Sequence, residues 1–67
     1  QAIEYYNLVL KITPENAAII RQLGLVYEDK KEFNKAIQLY EAALKIDPEY
    51  KELNRDIDRA YSRKYRY

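Results

Sequence analysis

Sixty-seven residues, with 12 Lys and Arg against 11 Asp and Glu and a formal net charge of +1, describe one small domain with a near-neutral mean field. With no Cys and no His, the chain has no disulfide, no thiolate nucleophile, no Cys or His zinc ligands and no histidine base, so no metal site, cofactor or catalytic constellation is expected. No apolar run approaches the length of a membrane span and no signal peptide is visible, which points to a cytoplasmic protein.

The chain lacks an initiator Met and opens on helical residues, as a cut fragment or processed chain would. Gln1 to Ile12 predicts a helix whose apolar residues Ala2, Ile3, Tyr5, Tyr6, Leu8, Val9, Leu10 and Ile12 cover most of its circumference, so it expects neighbours on several sides. Thr13, Pro14 and Glu15 read as a helix start, with Thr as the cap and Glu favourable to the dipole. Asp47, Pro48 and Glu49 repeat that signal.

A second helix is expected from about Ala17 to Asp29, with Ile20, Leu23, Val26 and Tyr27 on one face. Gly24 sits among them at a propensity cost of about 1 kcal/mol, for which the close approach of a neighbouring helix backbone would compensate. After the turn Lys30, Lys31, Glu32, Phe33 anchors a third helix carrying Ala36, Ile37, Tyr40, Ala43, Leu44 and Ile46. A fourth, Lys51 to Arg66, places Leu53, Ile57, Ala60, Tyr61 and Tyr65 on one stripe.

These helices repeat. Pro14 and Pro48 stand 34 residues apart, and Gln1 to Asn16 overlays Lys35 to Tyr50 without a gap, with eight of the sixteen pairs identical. Among them are Ala2 and Ala36, Ile3 and Ile37, Tyr6 and Tyr40, and the run from Leu10 to Ile12, which recurs as Leu44 to Ile46. Such a period marks stacked units that bury a face only against their neighbours.

Ile20, Leu23, Gly24, Tyr27, Ala36, Tyr40, Ala43 and Pro48 fall at the signature offsets of the tetratricopeptide repeat, with Ile20 in place of its Trp, and the chain resembles that family over nearly its whole length. The resemblance implies an all-α array of antiparallel helix pairs in a right-handed superhelix. It divides the chain into a second helix of a partial repeat (1–16), a complete repeat (17–50) and a terminal first or capping helix (51–67). Asp58 and Asn54 take the places of Gly24 and Ile20 and make the last helix more polar, as a solvent-facing cap requires. Family members normally carry Gly where Lys31 stands, so Lys31 would hold a left-handed backbone at a cost on the order of 1 kcal/mol.

The implied function is a protein-interaction module without catalysis, its concave groove lined by Ala17, Arg21, Leu25 and Glu28 and by Lys51, Arg55, Arg59 and Arg63. The last four recur at every fourth position and form a basic ladder, to which an acidic peptide or chain-terminal carboxylate is complementary. The competing reading is a solvated face, with Glu52 and Asp56 in reach of Arg55 and Arg59 as exposed ion pairs worth ~0 to 1 kcal/mol. The family's two-helix carboxylate clamp would fall on Arg21, Leu25, Glu52 and Asp56, of which only Arg21 keeps the required character.

Two other classes of function compete with this one. An apolar strip of Ala2, Tyr6 and Val9 lacks its first helix and offers self-association, as a head-to-tail oligomer or a domain-swapped dimer. Among the eight tyrosines, Tyr6, Tyr27, Tyr40 and Tyr61 fall at core aromatic positions, which leaves the basic and aromatic tail from Arg63 to Tyr67 as a distant nucleic-acid candidate.

Overall fold

A computed structural model describes residues 2–66, which form four helices: α1 (Ala2–Ile12), α2 (Ala17–Asp29), α3 (Phe33–Ile46) and α4 (Lys51–Lys64). Among the described residues there is no strand, and no helix is long and apolar enough to cross a membrane. The most extensive packing joins α2 to α3; α3 also packs on α4, and α1 on α2.

The helix ends depart from the expected signals. Thr13 does not cap α2: its hydroxyl donates to the Val9 carbonyl at 3.1 Å and so closes α1. Asn16 is the cap, its side-chain oxygen accepting from the Ile19 amide at 3.2 Å. Asp47 likewise accepts from the Glu49 amide within its own turn, and α4 starts after Tyr50, which makes no side-chain cap bond.

At the other end of α2, Lys31 has φ 65°, in the left-handed region. The Lys31 amide donates to the Glu28 carbonyl and the Glu32 amide to the Tyr27 carbonyl, both at 2.9 Å. This paired C-terminal motif places its left-handed residue at Lys31, where glycine is ordinarily found.

The core lies along α3, between its neighbours. Ala36, Ile37, Tyr40 and Ala43 are buried there with Ile20 from α2 and Leu53 and Ala60 from α4. Gly24 is compensated by a side chain and not by the backbone approach expected from sequence: a Cβ at that position would lie 2.5 Å from Cε1 and 2.8 Å from Cδ1 of Tyr40. The missing side chain is therefore the space the Tyr40 ring occupies. Of the four tyrosines at core positions only Tyr40 is buried; Tyr6 and Tyr27 are half-buried and Tyr61 is exposed.

Candidate functional site

The residues expected to line a groove are brought together between α2 and α4, but around two buried acids. Glu28 and Asp56 are each 2% exposed. Both lie on apolar stripes. Glu28 continues Ile20 and Gly24 at four-residue spacing, and Asp56 falls between Leu53 and Ala60 at spacings of three and four, so each side chain is carried into the interior by the same periodicity that buries its neighbours. That pattern, an acid on a buried stripe, is the sequence signal that distinguishes them from surface carboxylates.

Buried carboxylates need partners, and arginines supply them. Arg59 donates to both acids: its Nε and Nη2 contact Glu28 at 2.8 and 3.0 Å, and Nη2 also reaches Asp56 Oδ1 at 3.0 Å. Arg63 Nη1 donates to Glu28 Oε2 at 2.9 Å, and the Tyr40 hydroxyl donates to Glu28 Oε1 at 2.8 Å. Arg21 Nε pairs with Asp56 Oδ2. No buried side-chain nitrogen or oxygen among the described residues lacks a hydrogen-bond partner.

The electrostatics follow from this closure. Burial alone would push the Glu28 carboxyl up, but the bonds from Arg59, Tyr40 and Arg63 outweigh it and hold its pKa at about 2. Burial, and then Glu28, raise the Tyr40 phenol above the ordinary tyrosine value. Arg59 is held further toward its charged form chiefly by Glu28, and Arg21 chiefly by Asp56. Three guanidinium groups face two carboxylates, so the cluster keeps one net positive charge.

The placements correct several sequence expectations. Glu28 does not line an open surface; it is the buried anchor of the cluster. Asp56 is not an exposed partner of Arg59 but a buried one, shared with Arg21. The basic ladder is divided: Arg59 and Arg63 are tied to Glu28, while among the described residues Lys51 and Arg55 form no ion pair and flank, with Glu52, an open depression of about 290 Å³. Leu25 and Ala17 are half-buried against the core. Arg21 and Arg63 are further seated over the rings of Tyr50 and Phe33, 5.8 and 5.2 Å from the centroids.

On α1, Ala2 is exposed and Tyr6 and Val9 are half-buried; beside them Tyr5, Leu8 and Ile12 are exposed. In the stretch Arg63 to Arg66, Arg63 donates to Glu28, and the exposed Tyr65 stacks on Tyr61 at 6.4 Å; Tyr67 lies outside the described residues.

The family model for the tetratricopeptide repeat matches residues 17–50, from the first residue of α2 through Tyr50. No curated protein and no solved structure matches the chain.

Proposed function

Since the chain belongs to the tetratricopeptide repeat family, a non-catalytic family whose repeats generally mediate protein–protein interaction, we propose that it takes an acidic partner segment across the face shared by α2 and α4. The observation that carries this reading is the excess of cation held in place there. Arg59 and Arg63 have side chains 43% and 37% exposed although both are bonded to Glu28. Each guanidinium has five N–H donors in a rigid fork, and the buried acids occupy only some of them. The remaining donors are held at the surface by groups that cannot turn away, so a carboxylate arriving from a partner meets an ordered site with little side-chain entropy left to lose.

Lys51 and Arg55 extend the same field by about two further turns of α4, toward the Arg21 side of the cluster. They have no structural carboxylate to satisfy and are therefore the residues whose removal separates binding from stability.

The test is fluorescence anisotropy of a labelled peptide of alternating Asp and Ala against its Asn and Ala counterpart, with the intact chain at low and high salt. Preferential binding of the acidic peptide, weakened by salt and abolished in Lys51→Glu/Arg55→Glu while the thermal transition is kept, is the expected outcome. Equal binding of the two peptides, or acidic binding that survives the double charge reversal, would remove this reading.

A further inference from the structure

Three successive helices wall an open groove of about 340 Å³, lined by Asn7 of α1, Leu23 and Tyr27 of α2, and Lys35, Gln38 and Leu39 of α3. No residue of α4 or of the ion cluster lines it. Helical spacing assembles it: Leu23 and Tyr27 are four apart on α2, and Gln38 and Leu39 follow Lys35 by three and four on α3. Leu23 is buried, and Tyr27 and Leu39 are half-buried, so the interior of the groove is apolar. Its polar side chains are the two primary amides, Asn7 and Gln38, and the Lys35 ammonium.

The charge at this groove is unbalanced in one direction. Lys35 and Lys30 lie over the Tyr27 ring, 5.3 and 5.9 Å from its centroid, and both face a single carboxylate, Glu32, at 3.7 Å. One acid thus serves two ammonium groups, and at that distance neither pair is a close hydrogen bond. No carboxylate lines the groove itself. In the 34-residue register Asn7 is the copy of Glu41, so α1 presents a neutral amide where α3 carries an acid.

We propose that this groove binds a small aliphatic carboxylic acid as its anion. The carboxylate pairs with Lys35, which is 62% exposed and free to turn toward it, and Asn7 and Gln38 supply amide donors beside it. The hydrocarbon chain lies on Leu23 and Leu39, since the Tyr27 ring face is already occupied by cations. Size points to the same occupant. The groove is at the lower end of ligand clefts, which span about 300 to 1,000 Å³, and a partner helix about 10 Å across does not enter it.

Titration of the intact chain with butyrate, hexanoate and octanoate, followed by backbone amide NMR shifts, tests this. Shifts centred on Asn7, Lys35, Gln38 and Leu39 are expected, with affinity rising about tenfold for each two methylenes added. Octanamide, which keeps the chain and loses the charge, should bind about tenfold more weakly than octanoate. Lys35→Gln should erase that preference, and Asn7→Glu, which installs the acid of the repeat copy on an exposed position, should abolish octanoate binding; Lys51→Glu/Arg55→Glu should leave it unchanged. Equal binding of acid and amide, no dependence on chain length, or shifts centred on the exposed Tyr5, Leu8 and Ile12 would overturn the proposal. So would displacement of octanoate by equimolar peptide ending in Phe-Leu, which would assign the groove to a chain end instead.

Discussion

The phenol of Tyr40 donates to Glu28 Oε1 at 2.8 Å with both side chains buried, and this one bond ties the middle helix of the core to the ion cluster that joins its two neighbours. It explains why an aromatic at this position is Tyr and not Phe: the ring fills the space opened by Gly24, and the hydroxyl completes the shell of an acid that water does not reach.

Tyr40→Phe keeps the ring and removes the donor. A hydrogen bond to a charged group contributes about 1.5 to 3 kcal/mol, and Arg59 still covers the same oxygen, so a loss near the lower end is expected. For a chain of this size that lowers the melting temperature by roughly 5 to 10 °C. An unchanged transition in a calorimetric scan would mean that Arg59 alone satisfies the acid.

Acid should unfold the chain partly through Glu28. Its carboxyl has an ordinary pKa of 4.5 and is held at about 2 in the folded state, so its contribution is complete above the higher value and declines as pH falls from about 4.5 toward 2. Urea denaturation of wild type and Glu28→Gln should show a stability gap that is constant near neutrality and narrows through that window. A gap independent of pH would place the stabilisation in shape and not in charge.

The order of the helices and the identity of the buried apolar residues were legible because both follow from periodicity. Leu23, Ala36, Tyr40, Leu53 and Ala60 lie on stripes that any helical wheel assembles. The cluster was only half legible: Arg21, Glu28, Arg59 and Arg63 were placed on one face, yet as an open surface, because pairings between residues 31 and 35 apart depend on how α2 and α4 stack and not on spacing within either. Asp56 looks like a surface charge from its spacing to Arg59 alone, for the same reason. The Thr13 signal failed because Asn16, three residues on, has a side chain in position to accept from Ile19.

Gly24→Ala should destabilise despite the better helix propensity of alanine, which by itself would add about 1 kcal/mol. The new methyl carbon meets a ring held by its neighbours and by Glu28, so relief requires moving Tyr40 out of its bond. Overpacking of this kind costs about 1 to 3 kcal/mol, giving a net loss of up to about 2. In a Tyr40→Leu background the obstruction is absent, and the same substitution should be neutral or stabilising. Chemical denaturation of the four chains measures the coupling, and additive effects would show that the ring does not need the space.

Lys31→Gly should stabilise. The backbone at Lys31 has φ 65° inside a fully formed C-terminal motif, with the Lys31 and Glu32 amides already bonded, so the substitution changes the strain and not the bonds. A left-handed conformation costs a non-glycine residue about 1 to 2 kcal/mol, and the extra chain entropy of glycine returns about 0.5 to 1 of that. The net gain is about 0.5 to 1 kcal/mol, or a rise of a few degrees in the melting temperature. Lys31→Ala separates this from any effect of the lost charge: it removes the ammonium but keeps the Cβ, and should leave the transition where it is. A rise with alanine equal to that with glycine would mean that repulsion from Lys30, and not the backbone, limits this turn.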